Sequence, residues 1–145
     1  MRVELRCAPL PYIGALAVHY WFVLIDESGA HRWEVWQTKG AGGRDLGPDA
    51  GHVHCDLKSP EAGVGGGPSR IETEWRGEEA LAIAAVLREP LRYPECRRYR
   101  VWPGPNSNSF VAWVLDRAGI AYRLGWRGIG RGWWNSLTRN EKPRF

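Results

Sequence analysis

The residues best suited to chemistry lie in one short block, residues 103–113, which reads PGPNSNSFVAW. Two prolines and a glycine restrict its backbone. Four polar residues follow directly, Asn106, Ser107, Asn108 and Ser109. All four are types that cap helix N-termini, whereas a helix needs only one such cap. The start of a helix also offers unpaired N–H groups and a positive dipole end, which can hold an anion or an oxyanion. The block therefore predicts a helix that begins at a functional pocket, and the alternative is a helix start with surplus caps.

Two histidines lie on what reads as a hairpin. His19 is part of the apolar segment AVHYWFV, and His31 follows on the returning strand. A two-residue turn would put the two on opposite faces of the hairpin, whereas a register shifted by one residue would put them on the same face. In the alternative reading, His19 is a hydrogen-bonded core residue and His31 faces solvent.

The segment His52-Val53-His54-Cys55 holds two further imidazoles. On a strand, both would point to one face and could share a metal ion. Two ligands do not complete a metal site, and no second pair in the sequence has a suitable spacing. We therefore predict neither a metal nor another cofactor.

Residues 117–145 form a basic C-terminal segment that is rich in tryptophan and arginine. It holds seven basic residues and one acidic residue, although the whole chain has a net charge of only +4. Such a segment could meet an anion, a nucleic acid or lipid headgroups. Its tryptophans are interleaved with arginines, so the rings could also stack on bases or sugars. The residues concerned are Trp126, Arg127, Arg131, Trp133 and Trp134. The alternative is a solvated edge whose rings pack on the domain.

Periodicity and turn residues predict the elements that must position these groups. Strands are predicted at residues 3–5, 12–25, 31–37, 52–57 and 122–124. Helices are predicted at residues 78–89 and 109–118, the first ended by Pro90 and the second by Gly119. We therefore expect an α+β domain with a small antiparallel sheet of roughly four to six strands and two main helices.

Length and composition fit a single domain, residues 1–145, with a core of its own. The three cysteines are far apart and include no CxxC pair, which indicates reduced thiols rather than a zinc ribbon or a disulfide framework. The N-terminus lacks the pattern of a signal peptide, and the longest apolar stretch, residues 13–25, is too short for a membrane span. We expect a cytoplasmic protein without a transmembrane segment.

Residues 76–113 resemble a bacterial family of unknown function. That family has a helix led by RG, then a YP pair, then a PGPNSN[TS]FVAW block, and the chain reads RGEE, RYP and PGPNSNSFVAW at these places. The segment AVHYWFV, residues 17–23, resembles the early strand of the family. The C-terminal GWRGIGRGWW is similar only loosely. Because the family has no established activity, the resemblance does not imply a function.

The chain also resembles, more distantly, permuted papain-like domains of the NlpC/P60 and lecithin retinol acyltransferase kind. In those domains a histidine on an early strand is followed by a second polar residue, often also histidine. Much later, a helix begins N-C-x-x-F-V with the nucleophilic cysteine. Here the order is His19, His31 and a helix start in which Ser107 stands at the cysteine position. The resemblance implies Ser107 as nucleophile, His19 as its base and His31 as the residue that orients the base.

A serine at the cysteine position changes what such a site can do. A papain-like cysteine reacts as a thiolate, whereas a serine hydroxyl is far less acidic and needs a closely placed general base. The expectation is a permuted papain-like hydrolase or acyltransferase relative, acting on an amide or ester in a small molecule, a peptide or a lipid. It either uses Ser107 or has kept the groove and lost the chemistry.

Two further hypotheses stay open. One is a non-catalytic module that binds a ligand in the same groove, and the other is an anion or nucleic-acid binder that works through the C-terminal segment. The residues expected to contact a ligand at the groove are Asn106, Asn108, Ser109 and Tyr99.

Overall fold

The computed structural model of the chain describes residues 1–140, with side chains up to residue 137. The strands are β1 (Arg2–Pro9), β2 (Val18–Asp26), β3 (Gly29–Val35), β4 (Val53–Cys55) and β5 (Arg70–Arg76). They form one antiparallel sheet in the order β4-β3-β2-β1-β5. The α-helices are α1 (Gly77–Leu87), α2 (Ser107–Arg117) and α3 (Gly132–Asn140), and a short 3₁₀ turn at Pro90–Arg92 follows α1. No helix within residues 1–140 is long and apolar enough to cross a membrane.

The α+β class with an antiparallel sheet is confirmed, and the two main helices lie where the sequence predicts them. The strand predicted at residues 12–25 begins only at Val18, because residues 10–17 form a closed turn. β5 is not predicted from the sequence, because it is an edge strand with one buried side chain, Trp75, and so has little hydrophobic pattern. The strand predicted at residues 122–124 is wrong, because those residues pair with no strand, and α3 is an additional helix.

One face of the sheet packs under α1 and α2 and is apolar; we call it the helical face. Alternate residues of a strand point to the same face. Those of β1 and β2 that meet the helices are Val3, Leu5, Cys7, Val18, Tyr20, Phe22 and Leu24. They form one core with buried helix residues such as Ile83 and Phe110. Burial of these side chains is the main source of the stability of the domain.

The opposite face is covered by residues 56–69 and is called the loop face. It receives the charged and imidazole side chains Glu4, Arg6, His19, Arg32 and Glu34, all of them at most 8% exposed. The covering loop is held by polar contacts, such as the Trp21 indole N–H to the Pro60 carbonyl at 2.9 Å. The loop face also holds the buried apolar side chains Ala8, Trp21 and Val23, and each buried charge among them requires a specific partner.

Candidate functional site

The start of α2 is held by a reciprocal pair of caps. Asn106 is the N-cap, and its Oδ1 accepts hydrogen bonds from Asn108 N at 2.9 Å and Ser109 N at 3.3 Å. The Ser109 hydroxyl accepts from Asn106 N at 3.1 Å and donates to Gly130 O at 2.7 Å. These bonds satisfy two of the helix N–H groups that would otherwise lack a partner. The turn predicted to begin a helix therefore does so, with Asn106 as the cap.

Residues 127–130 close over this helix start from the other side. The Ile129 carbonyl accepts from the side-chain amides of Asn106 and Asn108, at 3.0 and 2.9 Å. Gly130 has a φ of +89°, and a Cβ there would lie only 2.2 Å from the Asn106 amide nitrogen. Only glycine permits this approach, so the glycine-rich end of the chain is a structural partner of the helix start.

Asn108 joins the helix start to β2. β2 and β3 pair only from Phe22 to Asp26 on β2, which leaves the first residues of β2 without a strand on that side. There the Asn108 side chain accepts from Tyr20 N at 3.1 Å and donates to Val18 O at 3.0 Å. A side-chain amide has the same donor and acceptor as a peptide group, so Asn108 replaces the missing strand on either side of His19.

His19 is therefore a neighbour of the helix start, as the element order of the sequence predicts. Its side chain is 4% exposed and points to the loop face. Its Nε2 lies 2.7 Å from Glu34 Oε2, and its ring contacts Trp21 and Trp36 with centroid distances of 5.7 and 5.5 Å. A carboxylate can only accept a hydrogen bond, so Nε2 carries a proton, and the neutral form of the ring has its lone pair on Nδ1.

Glu34 is held in turn by Arg32. Both side chains have 0% exposure, and Arg32 Nη2 donates to Glu34 Oε2 at 2.8 Å. Arg32 Nε lies 2.8 Å from Glu34 Oε1, although the two are poorly aligned for a hydrogen bond. The same guanidinium donates to the carbonyls of Ser59 and Ala62 and stacks on Trp21 at 3.9 Å. Burial raises the pKa of Glu34, but the bonds and charges of His19 and Arg32 outweigh burial, so this pKa lies below its usual range.

Ser107 has the one hydroxyl of this turn that makes no strong contact. It is 5% exposed, and its Oγ lies 3.4 Å from Asn108 Oδ1, a long and weak hydrogen bond. Within residues 1–140 it makes no hydrogen bond to His19 and its own N–H has no acceptor. By contrast, the polar groups of Asn106, Asn108 and Ser109 are occupied by backbone partners. These three side chains therefore have structural contacts, and the ligand-binding role that we predict for them stays a prediction.

The structure does not bring His31 to this place. His31 lies opposite Leu24, five residues along β2 from His19 and on the opposite face of the sheet. Its ring contacts Asp56 at 2.9 Å and Ser28 at 3.0 Å, so it cannot orient the His19 imidazole. Tyr99 lies beside His52 at a centroid distance of 5.4 Å, and the backbone N of the next residue, Arg100, donates to Pro105 O at 2.8 Å, next to the helix start. The residue that contacts the His19 ring nitrogen is Glu34 and not His31.

Sequence reasoning missed Glu34 and Arg32, although the sequence contains a usable signal. The two-residue turn after Asp26 sets the hairpin register, with Phe22 opposite Trp33. By extension of that register, Glu34 lies on the same face as His19, two positions away diagonally. Strand parity along the hairpin therefore identifies Glu34, whereas residue type alone favours the second histidine.

The rings of the second histidine pair, His52 and His54, hydrogen-bond to backbone groups. His54 Nδ1 donates to His52 O at 2.8 Å, and its Nε2 accepts from Ala41 N at 3.1 Å. Burial lowers the pKa of His54, so this ring is neutral near pH 7. Within residues 1–140 no three His, Cys, Asp or Glu side chains are grouped so that they could hold a metal ion.

Arginines and a tryptophan of the C-terminal segment form hydrogen bonds, some within the segment and some to the rest of the domain. Arg131 donates to Trp126 O at 3.0 Å, Arg127 donates to the carbonyl of Gly14, and the Trp134 indole donates to Asp116 at 3.0 Å. Lys142 and Arg144 lie outside the described residues. An open groove of about 1180 Å³ runs beside this segment, lined among others by Trp102, Leu115, Tyr122, Arg123, Arg131 and Trp133. Ser107 and His19 are not among the residues that line it.

Comparison with known proteins supports only the first of the two resemblances. Nothing among curated proteins or solved structures matches the chain, so the papain-like relationship stays a prediction. Residues 1–133 match the family described as "Protein of unknown function (DUF3750)", which covers the sheet, α1, α2 and the glycine-rich closure of the helix start. The chain therefore belongs to the DUF3750 family.

Proposed function

We propose that the chain is a hydrolase or acyltransferase for an amide or ester, with a permuted papain-like arrangement of β2, β3 and α2. The observation that carries this proposal is the buried pair of His19 and Glu34, with Nε2 and Oε2 at 2.7 Å, beside a helix start with one weakly engaged hydroxyl. A core histidine needs only one hydrogen-bond partner of any kind. A buried carboxylate, itself fixed by a buried arginine, orients the ring and selects its tautomer.

In this proposal Ser107 is the nucleophile. Its hydroxyl oxygen attacks the carbonyl carbon of the substrate while its proton passes to Nδ1 of His19. Glu34 stabilises the imidazolium that forms, and the contacts of Glu34 with His19 and Arg32 favour its ionised form. The imidazolium then donates its proton to the departing amine or alcohol, leaving an acyl group on Ser107. Water or a second acceptor removes this group with His19 again acting as the base.

The developing negative charge on the substrate oxygen lies near the N-terminus of α2. Ser107 N–H is the helix donor left without an acceptor within residues 1–140, since Asn106 Oδ1 takes the next two N–H groups. A backbone N–H at the positive end of a helix is suited to an oxyanion. The requirement of the proposal is that a substrate brings the Ser107 hydroxyl and His19 Nδ1 within about 3 Å, a contact that often forms only in the substrate complex.

A non-catalytic ligand-binding module is the second candidate, and a specific observation favours it. Ser107 and His19 make no hydrogen bond to each other within the described residues, although Ser107 precedes Asn108 and the Asn108 side chain bonds to the backbone on either side of His19. A site that has lost its chemistry would keep the helix start and the buried pair for structural reasons. The two candidates therefore differ in the reactivity of Ser107, not in the fold.

Labelling with a fluorophosphonate probe, which reacts with activated serine hydroxyls, tests the first candidate. We expect labelling of the wild type, none of Ser107→Ala and strongly reduced labelling of His19→Ala, about 10²-fold or more for loss of the general base. Ser28→Ala is the matched control, because Ser28 is an exposed turn serine remote from the site, and it should label like the wild type. Labelling that persists in Ser107→Ala, or that is absent from the wild type at every pH, would contradict the serine mechanism.

Ser107→Cys tests whether the surroundings activate a nucleophile at all. If they do, the rate of reaction with iodoacetamide should rise with pH around a value clearly below the reference thiol pKa of about 8.5. Adding His19→Ala should move that midpoint upward. A midpoint near the reference value that His19→Ala does not change would favour the binding module.

A further inference from the structure

The connection between β1 and β2, residues 10–17, is an apolar loop with several exposed side chains. Its sequence, LPYIGALA, contains no charged residue. Tyr12 is fully exposed, and Ile13 and Leu16 are 45% and 62% exposed. Three large apolar side chains exposed within five residues are more than the scattered exposure that a soluble surface normally shows.

The apolar loop is fixed in this exposed form. Leu16 N and Ala17 N both donate to Ile13 O, at 2.8 and 2.9 Å, and Leu10 N closes the loop onto Ala17 O at 3.1 Å. These hydrogen bonds hold the backbone that carries the exposed side chains in one conformation. Because binding does not have to order the loop, more of the free energy from burying its apolar side chains remains available for affinity.

A basic and aromatic segment adjoins the apolar loop. The Arg127 guanidinium donates to the Gly14 carbonyl of the loop, and Arg127 O accepts from Val18 N at 3.0 Å. The preceding residue, Trp126, is 65% exposed, and Arg131 donates to its carbonyl. Residues 117–140 contain five arginines and no aspartate or glutamate, so the segment that adjoins the loop through Arg127 carries a net positive charge.

We propose that the apolar loop and Trp126 insert into the surface of an anionic lipid bilayer, with the adjoining arginines against the headgroups. Tyrosine and tryptophan are the residues enriched at membrane interfaces, because each has an apolar body and a polar tip. The exposed side chains of the apolar loop need no complementary pocket in a fluid acyl region, whereas a protein partner would have to supply one. The positive flank complements the negative surface of anionic lipids. This surface is independent of the proposed chemistry at Ser107.

Co-sedimentation with vesicles tests the proposal. The wild type should bind vesicles of phosphatidylcholine mixed with phosphatidylglycerol and bind vesicles of phosphatidylcholine alone much more weakly, since basic residues contribute only on the anionic surface. Ile13→Gln combined with Leu16→Gln should weaken binding to the mixed vesicles about tenfold or more, because buried methylene groups are lost from the membrane. Arg123→Gln, which removes one exposed charge from the same basic segment, should weaken it less, about fivefold.

The matched control is Leu81→Gln combined with Leu91→Gln, which alters two comparably exposed side chains, 54% and 43%, on α1 and the 3₁₀ turn. It should bind like the wild type. Tyr12→Asn is a second loop variant, since asparagine tolerates the φ of +65° at this position, and its binding should also fall. Melting temperatures should be unchanged throughout, because every altered side chain is exposed.

Absence of binding to the mixed vesicles, or an equal loss in the control pair, would overturn the proposal. Self-association of the wild type that the loop variants abolish, without vesicle binding, would assign the loop to a second copy of the chain and would overturn it as well.

Discussion

The two faces of the sheet are both buried, but they are built on different requirements. On the helical face, apolar side chains such as Leu5 and Phe22 need neighbours of the right volume and little else. On the loop face, Arg32 and Glu34 need each other, because a buried charge without a partner is costly. The helical face therefore supplies stability, whereas the loop face fixes the positions of particular atoms around His19.

Breaking the loop face at one residue should have the largest effect. Arg32→Met leaves Glu34 buried without its main cation and should lower the free energy of unfolding by about 3–5 kcal/mol. Leu5→Met on the helical face is the control, because a swap of similar volume should cost less than about 1.5 kcal/mol. Urea denaturation measures both. If Arg32→Met costs no more than Leu5→Met, the two faces do not differ as described.

The pair can also be replaced as a unit, which sharpens the same comparison. Arg32→Met combined with Glu34→Leu removes both charges, and buried ion pairs replaced in this way are often close to neutral in stability. The double variant should therefore recover much of the loss of Arg32→Met while fluorophosphonate labelling of Ser107 stays low. Recovery of both stability and labelling would show that the charges are not needed by the proposed chemistry.

An alanine scan of the helix start should separate structural from free polar groups at the boundary of the two faces. Asn106→Ala removes the cap and should cost on the order of 1 kcal/mol, and Asn108→Ala and Ser109→Ala should cost at least as much, because buried partners are left unpaired. Ser107→Ala should change stability by only a few tenths of a kcal/mol, since its hydroxyl makes one long contact. Thermal melts report all four, and a large loss for Ser107→Ala would make its hydroxyl structural.

The smallest effect expected is a pH dependence. His19 and Arg32 hold the pKa of Glu34 below the ordinary value of 4.5 against the effect of burial, so the folded protein binds this proton less tightly than the unfolded chain. The stability that ionised Glu34 contributes is then fully present above the unfolded pKa and is lost as pH falls through the lowered folded value. The difference in unfolding free energy between wild type and Glu34→Gln should be constant near neutral pH and shrink below pH 4.5. A difference that grows on acidification would reverse the sign. Glu74→Gln, which alters an exposed ion pair, is the control and should show only a small difference throughout.

The sequence was sufficient for the elements whose pattern is local. The hairpin, α1 and α2 follow from apolar periodicity and from stop signals such as Pro90 and Gly119. The cap is also local, because Asn106 and Ser109 are three residues apart and form their bonds within one turn. β5 is not recoverable in this way, since an edge strand with one buried side chain has little hydrophobic pattern.

The candidate site depends on contacts that no local pattern contains. Asn108 contacts Tyr20 and Val18, which lie 88 and 90 positions earlier in the chain. Glu34 contacts His19 only because of the register of the hairpin. Sequence reasoning placed His19 beside the helix start through the order of elements. It predicted His31 as the partner of His19 because a second histidine is chemically suitable, whereas strand parity puts His31 on the other face.

The bridge made by Asn108 has a consequence for the chain during its synthesis. β2 and β3 leave the ribosome well before α2, and until Asn108 and Arg127 follow, the first residues of β2 present unpaired donors and acceptors on the side away from β1. Such an open strand edge is a template for pairing with another nascent chain. A messenger translated slowly between these segments would prolong that exposure. The amide that positions the candidate site therefore also determines when the growing chain is protected from edge-to-edge association.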